Sequence, residues 1–269
     1  MTERFLNDNE FSLLHLAPAV LRARDFRLYA AGSRRLVDLW LNGGAAVLGH
    51  TPPSLLRELK NTASRGLYAP FPHFLEDRYK KALSRVFPGR AFRLYASPPP
   101  GLESLPPAAL WRPFLDPAAP LSVPENAPPV LIPIVPGIQG WRGGLPQGLC
   151  VLALGPGFED TAALPPGEFI SPVLLSAAAR GLYDLIAGAR QRAKPFYPRI
   201  EKTLRDSRWR RRGIYLSPAQ PPGPEEWADQ FRRFLDAGFL LPPVPAQPVI
   251  LPGILSPGEE AALAGLLAQ

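Results

Sequence analysis

A chain of 269 residues with 46% apolar and 20% charged side chains can close one sizeable core, or a core with a smaller lobe, and is too apolar to remain disordered. Its net charge of +7 comes mostly from arginine, because only five of the 30 basic residues are lysines, at positions 60, 80, 81, 194 and 202. A single cysteine excludes a disulfide within the chain, and 36 prolines, far above the roughly 5% of average usage, mark stiff connections between short elements.

The opening run MTERFLNDNEFSLLHL is charged and broken, so it is expected to be neither a secretory signal nor a membrane span. The most apolar stretch, 129–138, is short and interrupted by Pro133 and Pro136, which points away from a transmembrane helix and toward a cytoplasmic soluble protein. Residues 11–24 are expected to be helical, with 25–29 and 36–40 paired as strands. Within RLVDLWLNGGAAVLGHTPP, Val37 and Leu39 alternate with Asp38 and Trp40 as a half-buried strand does; Gly43, Gly44 and Gly49 then open turns, and Pro52 and Pro53 suit a helix start. The spacing predicts helices over 53–65 and 74–87 and a strand of the parallel-sheet kind over 92–96.

Residues 98–129 hold no long periodic segment, only a turn of helix expected near Ala108. The continuous apolar runs 130–135 and 149–154 read as strands buried on both faces, and Cys150 in the second reads as an inert buried thiol. Residues 171–192 form the strongest helix pattern of the middle region, with Leu174, Leu175, Ala178, Leu182, Leu185 and Ile186 along one face. Strands are expected at 214–216 and 239–241 with a helix over 225–237 between them, and Ser256 with Glu259 has the spacing of a capping box. Interleaved strands and helices make the fold class α/β.

The candidates for chemistry are few. Arg205, Arg208, Arg210, Arg211 and Arg212 surround Trp209 and could hold nucleic acid or an acidic partner. One basic cluster without a nucleic-acid motif is better read as a solvated helix end, so nucleic acid is not the expected partner. The three histidines, at 15, 50 and 73, sit in no metal-ligand spacing, so no metal is expected; His50 and His73 read as locally satisfied side chains. Asp38 and Asp77 are the acids to inspect, each expected as a cap or ion-pair partner.

Two segments carry a resemblance. The order of strand, glycine-rich stretch, LGHTPP, helix and strand ending RLYAS, together with the closing QFRRFLDAGFLLPPVPAQPVILPGILSPGEEAALAGLL, resembles the class III pyridoxal-phosphate aminotransferases, glutamate-1-semialdehyde aminomutase-like proteins included. The resemblance implies a reduced fold-type-I architecture: a small α/β lobe from 1–50 plus 193–269, and a shortened large lobe, 51–192, around a mostly parallel sheet. It also implies where a cofactor would be held. The aldimine lysine falls near Gln139, ahead of Gly143-Gly144-Leu145-Pro146, and no lysine lies between Lys81 and Lys194. The acid for the pyridine nitrogen falls on Ile134 and Val135. The phosphate cradle falls on Ser97, followed by Pro98, Pro99 and Pro100, which have no N–H, and then Gly101 and Ser104.

The expectation is therefore a catalytically inactive aminotransferase-like protein with no catalytic residues and no cofactor, acting through binding or oligomerisation. Its positions Ser97, Gly101 and Gln139 are degenerate. The first alternative is a pyridoxal-phosphate enzyme with a displaced lysine, Lys194; the second is a basic module using the arginine cluster on nucleic acid or an acidic partner. The family's dimer implies a partner surface of Trp40, Phe71 and Phe74 with Leu41, Leu67 and Tyr68, formed with a second copy or a full-length aminotransferase relative.

Overall fold

The computed structural model describes residues 12–269 other than 124, 143, 193 and 194. Of the helix expected over 11–24, residue 11 lies outside the described residues, Ser12–Leu16 form a short 3-10 helix, and the rest gives way to a hairpin: β1 (Val20–Arg24) pairs antiparallel with β2 (Arg27–Ala30) across a tight turn where Asp25 takes φ 50°. Arg22 and Arg24 point to one side and Ala23 to the other, a period of two that packing against Leu28 selects over the helical period. β3 (Arg34–Asp38) continues the sheet antiparallel to β2, as the strand pair predicts.

The glycine-rich segment leads to α1 (Pro53–Ala63), where Pro53 occupies the first turn, and α2 (Leu75–Val86) follows with Glu76 and Asp77 in its first turn. Next come β4 (Ala91–Tyr95), β5 (Ala109–Trp111), β6 (Val130–Pro133), the hairpin β7 (Gly140–Arg142) with β8 (Leu145–Gln147), and β9 (Cys150–Leu154). The residues near Ala108 enter β5 instead of forming a helical turn. The sheet order is β4-β9-β6-β5, in which β5 and β6 run parallel while β9 is antiparallel to both its neighbours. Pairing is thus mixed rather than mostly parallel, and the strand expected at 92–96 is antiparallel to its neighbour. The physical reason is the connection: β6 reaches β9 through a hairpin and not through a crossover helix, so the chain returns in the opposite direction.

The apolar runs in this sheet are continuous because both faces are covered. Val151 and Ala153 of β9 face a core with Tyr79 and Leu83 of α2 and Leu182 and Leu185 of α3 (Pro172–Arg192). Cys150 and Leu152 face the opposite cluster with Tyr95, Val130 and Ile132. Burial pushes the Cys150 thiol up to about 12, with Glu168 adding to the effect, so the thiol is protonated and inert at neutral pH.

The last third adds α4 (Pro198–Leu204), β10 (Trp209–Arg212), β11 (Tyr215–Pro218), α5 (Pro224–Asp236), β12 (Phe239–Leu240), β13 (Val249–Ile250) and α6 (Pro257–Leu267). β10, β11 and β13 form one antiparallel sheet, and β12 joins the first sheet parallel to β3. A third core joins the two ends of the chain: Leu28, Leu36 and Leu39 pack with Trp209, Trp227, Phe231, Phe234 and Leu263. Ser256 and Glu259 form the expected capping box at the start of α6.

Candidate functional site

The segment after β3 is the most constrained backbone in the chain. Leu41, Asn42, Gly43 and Gly44 all take positive φ, at 49°, 50°, 66° and 104°. Non-glycine residues rarely hold such angles without support, and Asp38 supplies it. Its Oδ1 accepts from the Trp40 and Leu41 amides at 2.9 and 2.8 Å, and its Oδ2 lies 2.9 Å from His50 Nε2. Asp38 is buried, so these three bonds satisfy a carboxylate that water barely reaches. Both residues take the structural roles their sequence positions suggest. Asp77 stands exposed in the first turn of α2, where the helix dipole favours a carboxylate.

The turn docks onto residues 134–141. The Gly137 amide donates to Ala45 O at 2.7 Å, Asn42 Nδ2 donates to Gln139 O, and Arg112 Nη1 donates to Gly43 O at 3.1 Å. Gly43 is fixed by this approach as well as by its φ: a Cβ there would lie 2.0 Å from the Trp141 ring. Trp141, on β7, is buried in the notch that the glycine leaves.

Gln139 stands at the position that the resemblance gives to a lysine. It is 1% exposed, and its side chain is spent on backbone: Oε1 accepts from Val135 N at 2.6 Å, while Nε2 donates to Pro133 O at 3.2 Å and Leu149 O at 3.0 Å. The amide thereby ties the end of β6 to the start of β9. Ile134 and Val135 are buried apolar residues, and Gly144-Leu145-Pro146 belong to the β7–β8 hairpin.

Beyond β4 the backbone donors are already taken or missing. The Ala96 amide donates to Glu168 Oε2 at 2.8 Å, and the Glu168 amide donates to Leu94 O at 2.8 Å, so an internal carboxylate sits at the strand's end. Ser97 is exposed, and the three prolines lead to Gly101 at φ 87°, where a Cβ would lie 2.2 Å from Ala163 O. Residues 102–104 form a short 3-10 turn in place of a long helix. Glu168 could not be found by sequence reasoning, because it meets Ala96 from 72 residues away.

Only Arg205 of the arginine cluster stands at a helix end; Trp209–Arg212 form a strand. Trp209 opens β10 and is buried against Trp227 and Phe234, while Arg210 and Arg212 project outward from an edge strand. Arg211 points inward: it pairs with Glu201 and donates to Gly213 O at 2.7 Å and Pro195 O at 2.9 Å. Arg208 pairs with Glu226 at 2.7 Å, and Arg205 caps α4. The structure thus splits the cluster, and Arg211 is a structural residue.

The expected partner surface divides as well. Leu41 lies in the core, and Trp40 is half-buried with its Nε1 donating to Gln247 Oε1 at 2.6 Å. Tyr68, Phe71 and Phe74 remain exposed, by 64%, 55% and 64%. Among the described residues no group of three His, Cys, Asp or Glu could hold a metal, and no helix is long and apolar enough to cross a membrane.

Comparison of the whole chain gives its architecture a precedent. Ornithine δ-aminotransferase of Plasmodium falciparum superposes with a TM-score of 0.62 at 13% identity, over 93% of this chain and 92% of that one. A transaminase with bound PLP gives 0.64 at 14% identity over 93% and 89%, and acetylornithine aminotransferase of Elizabethkingia anophelis gives 0.59 at 12% over 93% and 92%. The chain has the aminotransferase fold. Identities this low establish architecture alone. No family model matches the sequence. Its sequence relatives include an uncharacterised protein of Treponema pallidum (strain Nichols), 28% identical over 87% of this chain and 88% of the relative. An uncharacterised protein of Borreliella burgdorferi is 39% identical over 70 residues, 26% of each chain.

Proposed function

We propose that this chain keeps the aminotransferase fold without its cofactor chemistry, as a shortened relative that works by binding, in association with a second copy or with a full-length aminotransferase. In this reading residues 1–50 and 193–269 make the small lobe and 51–192 the large one, and the protein is cytoplasmic. The observation that carries it is Gln139, near the place that the resemblance gives to the lysine: a buried amide whose three hydrogen bonds all go to backbone.

Pyridoxal phosphate would need an amine for its aldehyde, an acid at its ring nitrogen and a cradle of N–H donors for its phosphate. The residues present do not fit it. An amide forms no Schiff base, Ile134 and Val135 offer the ring nitrogen no charge, and Glu168 would repel a phosphate at the end of β4. Lys194, the alternative lysine, lies outside the described residues.

The association surface in this reading is the aromatic patch of Tyr68, Phe71 and Phe74, residues that interface centres favour and a solvent-facing loop does not need.

The test is an absorption spectrum with stoichiometric pyridoxal phosphate, before and after borohydride. No aldimine band and no covalently retained cofactor are expected. A reduced, labelled peptide containing Lys194 would overturn the reading and establish the displaced-lysine enzyme.

A further inference from the structure

Strand register gathers a second group of arginines on the first sheet, apart from the 205–212 cluster. Cross-strand pairing aligns Arg22 with Tyr29 and Tyr29 with Arg35 in one row, and Arg24 with Arg27 and Arg27 with Val37 in the next. Side chains in register share a face, as do residues two apart on a strand, so four arginines and one tyrosine lie on one face of β1–β3. The opposite face carries Leu28 and Leu36 into the core with α5.

Two acids, Asp25 and Glu259, offset part of the charge of the four arginines and leave the face basic. Glu259 is held by Arg27 through two bonds of 2.9 and 2.6 Å and by Arg35 at 3.5 Å; Asp25 meets Arg24 at 3.7 Å. Glu260 accepts from the Arg199 amide at the start of α4. Three guanidiniums stay accessible: Arg22 is exposed, and the side chains of Arg24 and Arg35 are 71% and 58% exposed. The Arg22 guanidinium lies 4.4 Å from the centre of the Tyr29 ring, which holds its plane over the sheet.

We propose that this face of β1–β3, closed at Arg27 and Val37 but accessible at Arg22, Arg24 and Arg35 around the half-buried Tyr29, docks single-stranded nucleic acid. The arginines are spaced about 7 Å along a strand and about 10 Å across two strands, a scale suited to successive phosphates of an extended backbone. Guanidinium forks recognise phosphate oxygens in pairs. The arginine-covered tyrosine presents a flat cationic platform on which any base can stack. A duplex is disfavoured because the face is a sheet with no protruding helix or ribbon to enter a groove. A bilayer is disfavoured because the exposed apolar side chains of β1 are only Val20 and Leu21, too few to form an inserting face. The proposal adds a role to the association proposed above and uses a different surface. Its test is separable, since oligonucleotide binding and the pyridoxal spectrum are independent readouts.

The experiment is fluorescence anisotropy of the full chain with a labelled single-stranded oligonucleotide of about 20 bases across a salt series. Three accessible arginines predict a slope of log K against log salt of about −2, from roughly −0.7 per phosphate. The variant Arg22→Ala/Arg24→Ala, changed on an exposed edge strand, should keep the parent's melting temperature, lose about tenfold in low-salt affinity and flatten the slope to about −0.7. Parent-like binding by that variant overturns the proposal, as does an equal loss in Arg210→Ala/Arg212→Ala, which would move the site to β10. Failure of the parent chain to bind at low salt overturns it too. Tighter binding to polyglutamate or to anionic vesicles than to the oligonucleotide would replace it with an acidic-protein or membrane surface.

Discussion

Glu259 joins the two ends of the chain, and its ionisation should govern how stability depends on pH. The carboxylate lies in the first turn of α6, where Oε2 accepts from the Ser256 amide at 2.8 Å while Arg27, 232 residues away, grips both oxygens. Burial alone would raise its pKa. The Arg27 hydrogen bonds, the Ser256 amide and the charge of Arg27 outweigh burial and lower it from 4.5 to about 2; Arg27 is correspondingly pushed up by the same carboxylate. Because the folded value lies below the unfolded one, the stabilisation is complete above about pH 4.5 and is lost as pH falls toward 2. At about 1.4 kcal/mol for each pH unit of displacement, the upper bound is about 3 kcal/mol. Arg35 is more than half exposed, and screening there reduces the realistic figure to roughly 2 kcal/mol. Glu259→Gln keeps an acceptor for Ser256 but removes the charge. Urea denaturation near neutral pH should find the variant roughly 2 kcal/mol less stable, with the gap closing between pH 4.5 and 2. A constant gap across that window, or a difference below about 0.5 kcal/mol at neutral pH, would refute the assignment of the ion pair as a tie between β2 and α6.

Other substitutions probe the remaining claims. Gly43→Ala places a methyl inside the Trp141 ring at φ 66° and should cost more than about 2 kcal/mol, part of it recovered in Gly43→Ala/Trp141→Leu; a neutral single variant would show that the notch is not tight. Arg211→Ala should destabilise by about 1–3 kcal/mol, because Glu201 and two carbonyls lose their partner, whereas Arg210→Ala should stay within about 0.5 kcal/mol; thermal melts of equal midpoint would contradict the inward reading of Arg211. Phe71→Asp with Phe74→Ser should convert a dimer to a monomer in light scattering without changing the fold, and a parent chain that is monomeric at micromolar concentration would end the interface argument.

What could be read from the sequence was what local pattern determines. The helices α1, α2, α3 and α5 follow from apolar residues recurring on one face, the capping box from the four residues 256–259, and β6 and β9 from runs too apolar for any place but a sheet covered on both sides. The errors fall where the partner decides. Arginine-rich β1 and β10 resemble solvated helix ends until β2 and β11 impose a period of two, which sends Trp209 and Arg211 inward and leaves Arg210 and Arg212 outside. Leu41 reads as surface beside Trp40, yet the left-handed turn that Asp38 supports directs it into the core. At the candidate site, Gln139 and the proline triplet read as departures from a motif only through the resemblance. The contacts made there by Glu168 and Trp141 come from distant segments with no local signal.

In the reading proposed above, those contacts bear on how such a fold could stand without a cofactor. A vacated binding site would leave buried backbone donors and acceptors without partners, at about 1–3 kcal/mol each. Here Val135 N, Pro133 O and Leu149 O are satisfied by Gln139, Ala96 N by Glu168, and the space against Gly43 by an indole. The substitution is incomplete at one atom: Trp141 Nε1 is buried with no hydrogen-bond partner among the described residues, a cost that the burial of the indole's apolar surface offsets. If the site is closed by its own side chains, as that reading holds, the folded state gains nothing from a ligand directed there. Pyridoxal phosphate should therefore leave the melting temperature unchanged at concentrations that stabilise a cofactor-binding enzyme. A saturable upward shift would mean that Gln139 and Trp141 yield to the ligand and that the site is a closed door rather than a filled wall.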